Sequence, residues 1–153
     1  MLEDRQSEAV DTVILDESST ATPRQRLREA IRRFLEVYRD EAKIIGVIEQ
    51  VSRFDLQVYR LRFERLERFA VLLAESIRGA QRLGAVDAAL DAGVVAHVLT
   101  ATITRFAEAW YVQGLVRSGF EEGVAQLTAM CLNALRLRAP GASEPGQGPP
   151  PSS

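Results

Sequence analysis

Four polar side chains in an otherwise apolar stretch are the first residues that could do chemistry. His97, Thr100, Thr104 and Glu108 stand at spacings of three, four and four. On a helix this puts an imidazole, two hydroxyls and a carboxylate on one side. Such a row could orient a ligand or meet a symmetry-related helix. It could equally be the solvent-facing edge of its helix, because a carboxylate such as Glu108 seldom stays buried without a partner. Catalysis asks for more than this row offers. His97 is the only histidine, and Cys131, the only cysteine, falls on another predicted helix. A carboxylate-bridged di-iron centre needs Glu-x-x-His twice, whereas the residue three before His97 is Val94. No Cys–His pairing, Ser–His–acid trio or glycine-rich phosphate loop has the required spacing. Glu121 and Glu122 open a predicted helix, where negative charge suits the dipole, and read as structural. The residues point to binding or pairing, with no catalytic group, no cofactor and no metal site.

The elements that must position this row follow from periodicity. Thr22 is a natural N-cap, Pro23 suits the first helical position, and Thr22-x-x-Gln25 has capping-box spacing. Leu27, Ile31, Phe34, Leu35 and Tyr38 then recur at helical intervals, opposite a face with Arg24, Arg28, Arg32 and a Glu29–Arg33 pair. A bend or break is predicted near Arg39–Glu41, followed by a shorter apolar helix through Ile44 to Val51. Leu56–Leu83 reads as a long amphipathic helix, with Gly84 just past its end. Asp87 or Asp91 caps a helix over about 92–114, and a final helix spans about 120–138. No alternating β-branched run is bounded by hairpin turns. The expected fold is all-α, an antiparallel bundle of about five to six helices.

Composition sets the outer limits. The chain has 153 residues with a net charge of −2, so no global field draws it to nucleic acid or an anionic membrane. Residues 1–22 hold six acids against Arg5, and 1–21 form an acidic N-terminal segment. Residues 22–138 are the helical domain. Residues 139–153 carry five of the six prolines and no bulky apolar side chain, and read as a disordered tail. No apolar run reaches the roughly 18–20 residues of a membrane span. One cysteine and a polar start, with no secretory signal, lead to a cytoplasmic reading.

The last two helices have surplus apolar surface. From Val94 onward, Val95, Val98, Leu99, Ile103, Phe106, Ala109, Trp110 and Val112 cover most of the helical circle, more than the stripe of a surface helix. Either this helix is central to a monomer, or a second face meets another copy across an isologous interface.

The stretch from Ala96 to Leu137, AHVLTATITRFAEAWYVQGLVRSGFEEGVAQLTAMCLNALRL, resembles the last two helices of the TetR family of bacterial transcriptional regulators. The resemblance rests on Thr104-Arg105-Phe106-Ala107-x-x-Trp110-Tyr111-Val112 and on Leu127-Thr128 followed by Ala134-Leu135. Pro23–Asp55 is similar to that family's fifth and sixth helices and Leu56–Gly84 to its seventh, so about residues 22–138 are covered. The resemblance implies a homodimer joined by the last two helices and a cavity for a small lipophilic effector among those before. Candidate ligand contacts are Tyr38, Tyr59, Phe63, Thr102, Phe106 and Trp110, each read as facing inward, although core packing accounts for any one of them. Candidate dimer contacts are His97, Ala101, Thr104, Glu108, Leu127, Met130 and Ala134. No basic recognition helix precedes Pro23, and residues 1–19 offer at most the end of a connecting helix. The chain alone is therefore expected to bind no nucleic acid. A pure interaction module, pairing with itself or with full-length relatives without a ligand, is the alternative.

Overall fold

A computed structural model describes residues 20–136. Four α-helices account for most of them: α1 Pro23–Ser52, α2 Leu56–Arg82, α3 Ala92–Ala107 and α4 Phe120–Ala134. A π turn, Glu108–Val112, continues α3. No strand occurs among the described residues. Among the described residues the chain is all-α with four helices, one fewer than the sequence led to between Thr22 and Arg136. The acidic segment, at most the end of a connecting helix, and the Pro-rich tail lie outside the described residues. The difference lies at Glu41. Its backbone leaves helical geometry (φ −115°, ψ 15°), yet the helix resumes at once, so the predicted break is a kink within one element.

Local chemistry sets each boundary. Gln25 N donates to Thr22 Oγ1 at 3.3 Å and Thr22 N to Gln25 Oε1 at 2.9 Å, closing the capping box. Asp55 caps α2, its Oδ1 accepting from Gln57 N and Val58 N at 2.8 and 3.2 Å. Gly84 ends that helix at φ +71°, a conformation an L side chain resists. Asp91 Oδ1 accepts from Val94 N at 3.0 Å and starts α3. Between them, the Gln81 amide donates to the carbonyls of Asp87 and Leu90 at 3.0 and 2.8 Å, folding the connection back on α2.

α2 and α3 run antiparallel, with Glu67 of α2 paired to His97 of α3 and Arg62 to Glu108 at the start of the π turn. α4 docks on α1. Arg32 makes a two-pronged bond to Glu121 at 2.7 and 2.5 Å, and the guanidiniums of Arg32 and Arg39 lie 5.6 and 4.6 Å from the Phe120 ring centroid. Arg136 holds the other end of α4 to Asp87 at 2.8 Å. The core between these layers includes Ile31, Leu35, Leu73, Ile103, Leu127 and Cys131. Burying each large aliphatic chain contributes about 1.5–3 kcal/mol.

The π turn changes register where α3 ends. Gln113 N bonds to Glu108 O, five residues back, at 2.9 Å. This wider step places the Trp110 indole against α4, so close that a Cβ on Gly123 would meet its ring carbons at 2.0 and 2.1 Å.

Candidate functional site

The polar row turns inward. Thr100, Thr104 and Glu108 are 5%, 7% and 6% exposed, and only His97 at its start reaches solvent. Spacing put the four side chains on one face, and the neighbours of that face decide its use. Glu108 bonds through a carboxylate oxygen to Arg62 of α2, while its other oxygen lies 3.8 Å from Arg105. Burial pushes the Glu108 carboxyl above the usual carboxylate range, and the Arg62 charge works against that rise. Beside them is Tyr38 of α1, buried. Its phenol is pushed up to about 12 by desolvation and then by the Glu108 charge.

Tyr38 belongs to an aromatic group. The Phe34 ring lies 4.8 Å from it and 6.0 Å from Phe69 of α2, centroid to centroid. The site is thus an interior polar row on α3 facing aromatic and charged groups of α1 and α2. The threonines have an unusual place in it. Thr100 Oγ1 and Thr104 Oγ1 are buried without a hydrogen-bond partner among the described residues. Each orphaned hydroxyl costs about 1–3 kcal/mol, so the row holds unused bonding capacity rather than a closed network.

The remaining candidates separate into three places. Trp110 is buried and stacked on Tyr111 at 4.6 Å, with Phe106 edge-on at 5.4 Å. This cluster packs toward α4 and Gly123. Thr102 spends its hydroxyl on Val98 O at 2.8 Å. Tyr59 and Phe63, read from periodicity as inward-facing, are half exposed, their rings stacked on each other at 6.4 Å. Val47, Leu56 and the 92%-exposed Phe54, on α1, α2 and the turn between them, are exposed as well.

The dimer candidates divide in the same way. Ala101, Met130 and Ala134 are exposed on α3 and α4, as is His97. Thr104, Glu108 and Leu127 are interior. Val94 and Val98, absent from the sequence-based choice, are 61% and 58% exposed on the outer side of α3. Their three-plus-four spacing with Ala101 could have found them, since 94, 98 and 101 form one stripe. Ala125 and Ala129 add small exposed positions on α4. His97 donates from Nδ1 to Gly93 O at 2.8 Å and its Nε2 is 3.2 Å from Glu67. The Gly93 bond first, and then the Glu67 bond, raise its pKa.

Among the described residues no group of three or more metal-ligating side chains comes together, and no helix is long and apolar enough to cross a membrane. No family model fits the chain, and no curated protein matches it.

Proposed function

We propose that residues 22–138 form the effector-binding and dimerisation domain of a TetR-like bacterial transcriptional regulator. A small, mainly lipophilic ligand is taken up among α1, α2 and α3, and a second copy packs against α3 and α4. The observation that carries this reading is the two-sidedness of α3. Its inner face bears buried, unpaired hydroxyls next to an aromatic group, while its outer face leaves Val94, Val98 and Ala101 to solvent. A helix serving only a monomeric core needs neither.

The outer face alone favours a second reading, a module that pairs with itself or with longer relatives and takes no ligand. Size-exclusion chromatography with light scattering addresses pairing, and a thermal-shift screen of acyl-CoA thioesters, steroids and aromatic compounds addresses uptake. The regulator-domain reading expects a dimer, and expects Ala101→Arg or Ala134→Arg to yield a folded monomer. A monomeric native chain that no lipophile stabilises refutes both parts. A dimer indifferent to every compound leaves the interaction module.

A further inference from the structure

α3 and α4 contain four threonines, and they behave in two ways. Thr102 donates its hydroxyl to Val98 O at 2.8 Å, and Thr128 donates to Val124 O at 2.6 Å. This back-bonding is the ordinary solution for a helical threonine. Thr100 and Thr104 are both more than nine-tenths buried and do not use it, nor does any other described residue supply a partner. Their hydroxyls therefore remain free to serve something that enters the row.

Spacing narrows what that is. Side chains four apart on a helix stand about 5–6 Å from each other. One oxygen placed between them can lie at about 2.8 Å from both hydroxyls. A carbonyl oxygen, with two lone pairs, accepts from two O–H donors at once. Charge narrows it further. The one carboxylate of the buried row already holds Arg62, and Arg105 stands 3.8 Å from its second oxygen. A charged guest would have to part that pair in a buried setting, where an ion left without its partner is strongly disfavoured. The Phe34–Tyr38–Phe69 group, joined to the row through Tyr38, which feels the Glu108 charge, offers flat apolar surface rather than charge.

We infer that Thr100 and Thr104 together grip the carbonyl oxygen of an uncharged, mainly aromatic or polycyclic ketone, whose hydrocarbon body lies toward Phe34, Tyr38 and Phe69. This rests on the ligand-binding reading above and specifies the class of ligand. Thr100 and Thr104 are specificity residues, and Glu108 held by Arg62 is the wall that turns ions away.

Equilibrium dialysis of the full chain against three matched probes tests it: 2-acetylnaphthalene, 2-ethylnaphthalene and naphthalene-2-carboxylate. The native protein should bind the ketone about tenfold more tightly than the ethyl compound, roughly one to two hydrogen bonds' worth, and the carboxylate least. The double variant Thr100→Val, Thr104→Val should lose the ketone's advantage and keep the ethyl compound's affinity within about twofold. Thr128→Val, whose hydroxyl is already spent on Val124 O, should change neither, and circular dichroism confirms that each variant is folded. A ketone preference that survives the double variant overturns the inference. So do equal affinities for ketone and ethyl compound in the native protein, which would assign the hydroxyls to water, and so does a carboxylate that binds best. Binding without dependence on the threonines, or binding of no probe, refutes this inference alone, whereas the ligand-binding reading falls only if the wider thermal-shift screen is also blank.

Discussion

Replacing Gly123 by alanine sets two physical effects against each other. Gly123 lies inside α4, where helix propensity favours alanine by about 0.5–1 kcal/mol. The added Cβ, however, would stand 2.0 and 2.1 Å from two Trp110 ring carbons and 3.1 Å from a third. Ordinary carbon–carbon contact is about 3.5–4.0 Å, so ring and helix must separate by about 1.5 Å. The ring cannot simply swing away, because it is buried and stacked on Tyr111 with Phe106 at its edge. Overpacking of this kind costs about 1–3 kcal/mol and occasionally more, so the net effect is a loss of about 1–2 kcal/mol. For a domain of this size that lowers Tm by about 3–10 °C. Thermal unfolding followed by circular dichroism measures the change, and the emission of Trp110, the only tryptophan, reports whether the indole has been displaced. In a Trp110→Leu background the same Gly123→Ala change should be neutral or stabilising, since only propensity then remains. A higher Tm for Gly123→Ala in the native background would refute the close approach of α4 to the π turn.

Arg62→Met leaves the buried Glu108 carboxylate without its main partner and should cost about 2–4 kcal/mol at neutral pH, the lower end reflecting the partial exposure of Arg62. Because the folded-state pKa of Glu108 is raised above 4.5, the protonated acid suits the fold. Its contribution is intact below 4.5 and is lost as pH rises through the raised value. The destabilisation of Arg62→Met, measured by urea unfolding, should therefore shrink toward pH 4.5 and be largest at pH 7–8; a pH-independent difference would refute the assignment. Burial pushes the Cys131 thiol up to about 11, so the native protein should resist a thiol reagent such as iodoacetamide at pH 8 and react once unfolded; rapid labelling of the folded chain would show that α4 is not seated as described.

Local signals were the legible ones. The capping box at Thr22–Gln25, the cap at Asp91, the glycine stop at Gly84 and the bend at Glu41 each depend on a few adjacent residues, and each appears where the sequence places it. Periodicity also grouped Thr100, Thr104 and Glu108 correctly, but it says which side chains share a face and not what that face meets. The inward turn of the row depends on Arg62 and Tyr38, 46 and 70 positions away from Glu108. Tyr59 and Phe63 show the opposite failure. Their spacing is that of a core stripe, yet both rings are about half exposed, because period alone cannot say whether another element covers that end of the face. The turn itself had no sequence signal, since Ala107–Val112 reads as uninterrupted helix.

The attachment of α4 to α1 has a consequence for how the chain assembles. The α2–α3 pair joins neighbours in sequence, but the Arg32–Glu121 clasp closes a separation of 89 residues, and contacts of such long range are made late because the intervening chain must first be gathered. During synthesis the ribosome releases α1, α2 and α3 before Phe120–Ala134 emerges. Until then the strip of α1 reserved for α4 stays bare and sticky. A growing polypeptide that has made α1 but not yet α4 therefore carries an uncovered surface open to aggregation.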